Sequence, residues 1–195
     1  MNYTAGYCIE QELVERATPL VELLRERRLS VVTAESCTGG LIAAVLSHVP
    51  GAGAVFHGSF VTYSKALKAS ALDVDEGVLL ERGSVNEEVA LAMARGALAH
   101  SPAQLALSIT GVLGPEPDED GNPAGLIYAA TASIDSVARV EAYRLSGFEP
   151  DQVRREAVEQ ALKLLERAIA ECTPGRTLGA HDPTTDRGMS DRVPG

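Results

Sequence analysis

The stretch Val31–Gly40 (VVTAESCTGG) places three small nucleophilic side chains, Ser36, Cys37 and Thr38, between a β-branched run and the paired glycines Gly39 and Gly40. The apolar run Leu41–Leu46 follows at once. A strand that enters such a turn and leaves it as a helix presents backbone N–H groups at a helix N-terminus, where an anion or a developing oxyanion is stabilised. Gly39 and Gly40 let a ligand approach the backbone closely. The same residue types also build an ordinary capped turn with no chemistry, because Ser and Thr are favoured caps anywhere. Residue types alone leave both readings open. A thiolate at Cys37 is favoured beside a helix N-terminus, which makes Cys37 a second candidate nucleophile.

The elements that must position this turn are legible from periodicity. Glu10–Ala17 reads as helical, and Thr18-Pro19, as N-cap and first helical residue, predicts a second helix running to about Arg28. Ser30–Ala34 reads as a buried strand and Leu41–His48 as a helix stopped by Pro50-Gly51. Val55–Tyr63 is β-branched and aromatic, with Gly58 marking a bend or bulge. Short helices are expected over Ser64–Ala71 and within Asp73–Arg82, then a longer one over Asn86–Ala99. Leu105–Thr110 is a strand, and its exit at Thr110 and Gly111 falls where open α/β sheets collect ligands. A Gly-, Pro- and acid-rich loop spans Gly111–Ala124. Leu126–Ala132 and Ala138–Leu145 form an antiparallel pair, and Asp151–Ala170 is the clearest amphipathic helix. Alternating strands and helices that end in a strand pair predict an α/β fold, a three-layer α/β/α sandwich on a mixed β-sheet.

Composition bounds the function classes. The 195 residues suit one domain over residues 1–172, followed by a polar, aperiodic tail at 173–195 that is expected to be disordered. Aromatic residues make up only 4% and Trp is absent, so the core must be built from Ala, Val, Leu and Ile. The net charge is −10, and the tail adds nothing to it because three arginines there offset three aspartates. An acidic body repels phosphate backbones, so direct nucleic-acid binding is not expected. No apolar run approaches the ~20 residues of a membrane span. Cys8, Cys37 and Cys172 are too few and scattered for a disulfide framework or a zinc knuckle, and a reducing cytoplasm fits them. His48, His57, His100 and His181 form no ligand-spaced cluster, and no metal is expected.

TAESCTGG resembles the signature of the CinA C-terminal domain family, the nicotinamide mononucleotide deamidases. The likeness continues in order through Pro50–Gly53, GSFVTYSKALK at Gly58–Lys68, GSVNE at Gly83–Glu87, ITGVLGP at Ile109–Pro115 and PAG at Pro123–Gly125. It implies hydrolysis of the nucleotide's carboxamide to the acid with release of ammonia, without metal or organic cofactor. It also implies Ser36 as nucleophile ahead of Cys37, Lys68 as its base, and Tyr63 as the residue that orients the lysine or relays a proton. A lysine serves as base only when desolvation or a neighbouring cation lowers its pKa. Lys65, three positions before Lys68, is expected to supply such a cation if the segment is helical. Without the resemblance, a solvated helix face is the ordinary place for Lys68.

Amides near Cys37–Gly40 would hold either the oxyanion or the substrate phosphate. Glu35 would bind ribose hydroxyls or brace the turn. The resemblance also suggests a homodimer and a small-molecule nucleotide as partner. Two other readings stay open: a non-catalytic ligand-sensing or protein-interaction domain tied to competence or DNA damage, and an amidohydrolase of another small amide.

Three departures from the family pattern concern charge. Lys65 stands where the family usually has Asn, Asn122 stands where a Lys precedes the Pro, and Ser146–Arg154 lacks an arginine of a Gly-Asp-Arg segment. Glu116, Asp118, Glu119 and Asp120 add four acids with no evident compensating base. Arg154 and Arg155 are the expected replacements for the missing cations. Weaker binding of a phosphate-bearing substrate follows as an expectation.

Overall fold

The computed structural model describes residues 9–145 and 149–174. The expectation of a disordered tail therefore falls almost wholly outside the described residues. Five strands form one mixed sheet: β1 (Val31–Glu35), β2 (Phe56–Val61), β3 (Leu105–Gly111), β4 (Leu126–Ser133) and β5 (Arg139–Arg144). Their order across the sheet is β2-β1-β3-β4-β5. β1 runs parallel to both β2 and β3, whereas β4 is antiparallel to β3 and to β5. The expected bulge is present: Val31 pairs with Phe56 but Val32 with Gly58, so His57 is the extra residue.

Alternation along β3 sets the layers. Leu105, Leu107 and Ile109 face a core shared with α1 (Gln11–Arg27), α2 (Leu41–His48) and α6 (Pro150–Glu171). Ala106 faces the opposite core, built with α3 (Lys65–Leu72), α4 (Glu76–Arg82) and α5 (Glu87–Ala99). Ser108, on that same side, donates to the Ala90 carbonyl of α5 at 2.6 Å. Period-2 alternation between two helical layers is the expected three-layer α/β/α arrangement. Both layers are built largely of aliphatic residues, and Ala90, Ala94, Ala130 and Ala132 let α5 lie close on β4.

One element differs from the sequence reading. The two N-terminal helices are a single α1 with Pro19 inside it. Leu13, Val14, Ala17, Leu20, Val21 and Leu24 form one buried stripe across the proline, and burying it outweighs the lost backbone bond. Thr18 is not an N-cap; its hydroxyl donates to the Val14 carbonyl at 2.8 Å. Among the described residues no helix is long and apolar enough to cross a membrane.

Candidate active site

The parallel strands β1 and β2 bring the candidate residues together at their carboxyl ends. β1 ends at Glu35, and Ser36 continues the ladder, its amide donating to the Ile109 carbonyl of β3 at 3.0 Å. The chain then turns through Gly39 and Gly40, both at positive φ (63° and 95°), before α2 begins. Only glycine adopts such angles without strain, which is the local reason for the pair. On the neighbouring strand, Thr62 follows β2 and donates its amide to the Glu35 carbonyl at 2.8 Å. Ser64 then caps α3 through its side chain. The first turn of α3 points Lys68 back under the β1–α2 turn.

Lys68 is fully buried, at 0% exposure. Its Nζ lies 2.8 Å from Ser36 Oγ and 2.7 Å from the Thr62 carbonyl oxygen. Burial lowers its pKa to about 8, against a smaller opposing influence from Cys37. A buried amine with that affinity for protons, in hydrogen-bond reach of a hydroxyl, can remove the hydroxyl's proton and return it. Ser36 opens onto a cavity of about 1000 Å³ outside the strand ends, also lined by Cys37, Thr38, Gly39, Tyr63, Thr110, Gly111 and Arg154.

Cys37 behaves differently from the sequence expectation. Burial pushes its thiol up to about 12, outweighing Lys68 and the adjacent amides of Cys37 and Thr38. A thiol so held stays protonated, which separates it chemically from Ser36.

Glu35 resolves its two readings. The side chain is fully buried and its carboxylate is consumed locally. It accepts from Thr38 Oγ1 at 2.6 Å, from the amides of Gly40 and Ile42 at 3.1 Å each, from the Ala43 amide at 2.8 Å, and from Ser59 Oγ at 3.3 Å. The anion at the α2 N-terminus is therefore the chain's own carboxylate. Contact between Glu35 and ribose hydroxyls is corrected to bracing, and the Gly40 amide is not available to a ligand. The Gly39 amide is likewise used, donating to the Ser36 carbonyl at 3.1 Å. Among the described residues the amides of Cys37 and Thr38 find neither a backbone nor a side-chain oxygen.

Tyr63 sits on the cavity rim at 77% exposure, and among the described residues its hydroxyl makes no hydrogen bond. The group that holds Lys68 is instead the carbonyl of the preceding residue, Thr62. A backbone carbonyl has no side-chain signature, so sequence reasoning could not have found it. Thr110 is buried and donates to the Ser84 carbonyl at 2.9 Å, tying β3 to the segment before α5. At Gly111 a Cβ would overlap the backbone of Leu126, so the glycine serves close packing of β3 on β4 as well as the cavity wall.

Lys65 corrects two expectations together. Its Nζ bonds Asp120 at 2.7 Å and Glu119 at 2.9 Å, so it faces the acidic loop rather than Lys68. Those bonds raise its own pKa, and desolvation alone carries the downward shift at Lys68. The acidic loop is thus partly compensated after all. Glu116, Asp118 and Glu119 line the cavity, and among the described residues only Arg154 and the engaged Lys65 line it as cations. Arg154 is itself paired with Asp151 at 3.1 Å, whereas Arg155 turns to Glu10 and Glu12 and does not line the cavity.

Comparison with known proteins agrees with this architecture. The model of the CinA C-terminal domain matches residues 14–169. A putative competence-damage inducible protein from Caldicellulosiruptor bescii is 39% identical over 165 residues, covering 85% of this chain but only 39% of that protein. The chain thus spans well under half of that longer relative. The nicotinamide-nucleotide amidohydrolase PncC of Escherichia coli strain K12 is 39% identical over 158 residues, covering 80% of this chain and 94% of PncC. Among solved structures, a CinA superfamily protein from Klebsiella pneumoniae superposes with a TM-score of 0.78 at 31% identity, over 83% of this chain and 100% of that one. With its mixed five-stranded sheet and a matched segment reaching from within α1 to the last turn of α6, the chain belongs to the CinA C-terminal domain family.

Proposed function

We propose that the chain is an amidohydrolase that converts the carboxamide of a nicotinamide nucleotide, nicotinamide mononucleotide, to the carboxylate and ammonia. The observation that carries the reading is the 2.8 Å contact between Ser36 Oγ and the fully buried Lys68 Nζ at the floor of a ligand-sized cavity. The name of the PncC relative supports the substrate class.

Neutral Lys68 takes the Ser36 proton as Oγ attacks the amide carbon. The carbonyl oxygen becomes an oxyanion, which the amides of Cys37 and Thr38 would receive. The Lys68 ammonium passes its proton to the nitrogen, the C–N bond breaks, and ammonia leaves an ester on Ser36. Water then gives Lys68 a proton and attacks that ester. Collapse of the second tetrahedral species returns the proton to Ser36 and frees the acid. Tyr63 contributes by closing the rim rather than by touching Lys68, and Glu35 by holding the turn.

The test is ammonia release from nicotinamide mononucleotide, with nicotinamide riboside and free nicotinamide as controls. Turnover of the nucleotide that is lost in Ser36→Ala is the expected result. Turnover of the riboside alone would favour a different amide, a reading that the acidic wall formed by Glu116, Asp118 and Glu119 supports. No turnover of any amide would leave a binding domain.

A further inference from the structure

Thr62 carries a feature that the proposed reaction does not yet use. The residue is 1% exposed, yet its side-chain Oγ1 has no hydrogen-bond partner among the described residues. Leaving a hydroxyl unpaired in an interior is unfavourable, and native structures rarely do it. The same residue's carbonyl oxygen receives Lys68 Nζ at 2.7 Å. Covalent geometry keeps Oγ1 within a few ångströms of the carbonyl that receives the amine.

A count of protons on Lys68 gives the hydroxyl a role. As a neutral amine, Lys68 has two N–H groups and one lone pair. The lone pair accepts from the Ser36 hydroxyl, and one N–H donates to the Thr62 carbonyl. After taking the Ser36 proton it has three N–H groups and no lone pair. Ser36 Oγ and the Thr62 carbonyl satisfy two of them. The third needs an acceptor in a place that bulk water does not reach.

We propose that Thr62 is a positioning residue whose hydroxyl accepts the third N–H of Lys68 when the lysine is protonated, so that one residue holds the base in both of its charge states. The inference rests on the Ser36–Lys68 reading above. Among the described residues, few charged or titratable groups surround it. From β1 and its turn come Glu35, whose carboxylate is bonded to the α2 amides, and the protonated Cys37. From the β2 exit comes Tyr63, and from α3 comes Lys65, which is tied to Glu119 and Asp120. On this side α5 and α4 present the apolar residues Val89, Met93 and Leu79. The Tyr63 hydroxyl is free but belongs to a side chain 77% exposed on the rim, and none of the other groups offers the ammonium a free oxygen, so the Thr62 hydroxyl is the buried acceptor at hand.

The test replaces Thr62 with valine, which keeps the shape and removes the hydroxyl, and with serine, which keeps the hydroxyl. Two quantities are read: the acid limb of kcat/KM, and the titration of Lys68 followed by carbon-13 NMR of labelled lysine. Losing an acceptor used only by the charged form disfavours that form, so Thr62→Val moves both titrations to lower pH by about half a unit or more and lowers kcat roughly tenfold. Thr62→Ser restores both. Where the valine variant does not fold, Thr62→Cys, whose sulfur is a poor acceptor, carries the same expectation. An unchanged Lys68 titration in the valine or cysteine variant, or an equal shift in the serine variant, would overturn the inference. If the unaltered protein releases ammonia from no amide, the proposed function fails instead, and the NMR titration still decides the role of Thr62.

Discussion

The two walls of the cavity are built on opposite principles. The inner wall, from Glu35 to Gly40 with Thr62 and Lys68 beneath it, buries a carboxylate and an amine and gives each named oxygen or nitrogen partners. The outer wall, from Glu116 to Asp120 with Lys65, keeps its charges near water and joins them through side-chain ion pairs. In a dry wall a hydrogen bond or a charge acts at full strength and one missing partner is costly. In a wet wall each pair is worth about 0–1 kcal/mol and salt weakens it. The first kind of wall suits chemistry, because it sets a pKa; the second suits selection, because it adjusts which ligands approach.

If that contrast holds, the largest effect on stability comes from the inner wall. Glu35→Gln leaves the Ile42 and Ala43 amides facing a group that cannot replace a carboxylate, and α2 loses its anchor. A loss of about 3 kcal/mol is expected, seen as a midpoint lower by roughly 10 °C in thermal denaturation. A shift as small as that of a surface substitution would show that the bracing contributes little.

Titration of the inner wall is the next test. The proposed mechanism requires neutral Lys68, so kcat/KM should rise with pH through about 8. Stability should follow a distinct course. The folded chain releases the Lys68 proton near pH 8, whereas the unfolded chain holds it to about 10.5. In that interval the unfolded state binds more protons and stability increases with pH. Cys37 works in the opposite sense, since the unfolded thiol ionises near 9 and the folded one only near 12. The gain from Lys68 is therefore confined to about pH 8–9 and is offset above it. Chemical denaturation across that range measures the slope, and Lys68→Met should remove it.

The smallest effects belong to the outer wall. Lys65→Ala breaks two exposed ion pairs and should change stability by less than about 1 kcal/mol, with the difference vanishing in high salt. It should raise KM for a phosphate-bearing substrate by less than about tenfold, because the variant removes a cation already engaged by two carboxylates, Glu119 and Asp120. A large loss of kcat would mean that Lys65 serves the inner wall after all.

What was legible in the sequence follows the same division. Elements with strong periodicity or clear stops, such as α2 over Leu41–His48 and the bulge beside Gly58, appear where patterning puts them. A division of α1 at Pro19 follows from the local rule about proline, but the continuous apolar stripe from Leu13 to Leu24 carries the helix through it. At the site, Ser36, Cys37 and Thr38 were visible as residue types, but the two uses of Glu35 could not be separated without knowing where the α2 amides point. The Thr62 carbonyl left no trace, since any residue would supply one. The pairing of Lys65 with Glu119 and Asp120 joins positions more than fifty apart, and no local pattern announces it.

The central claim is that Ser36 and Lys68 act as one unit. Its most direct test is the rate of ammonia release from nicotinamide mononucleotide by the unaltered protein, Ser36→Ala, Lys68→Met and the double variant. Residues that share a single step are not additive, so each single variant should lose at least about a thousandfold and the double variant should be no worse than either. A single variant that keeps a tenth or more of the original rate would contradict the account.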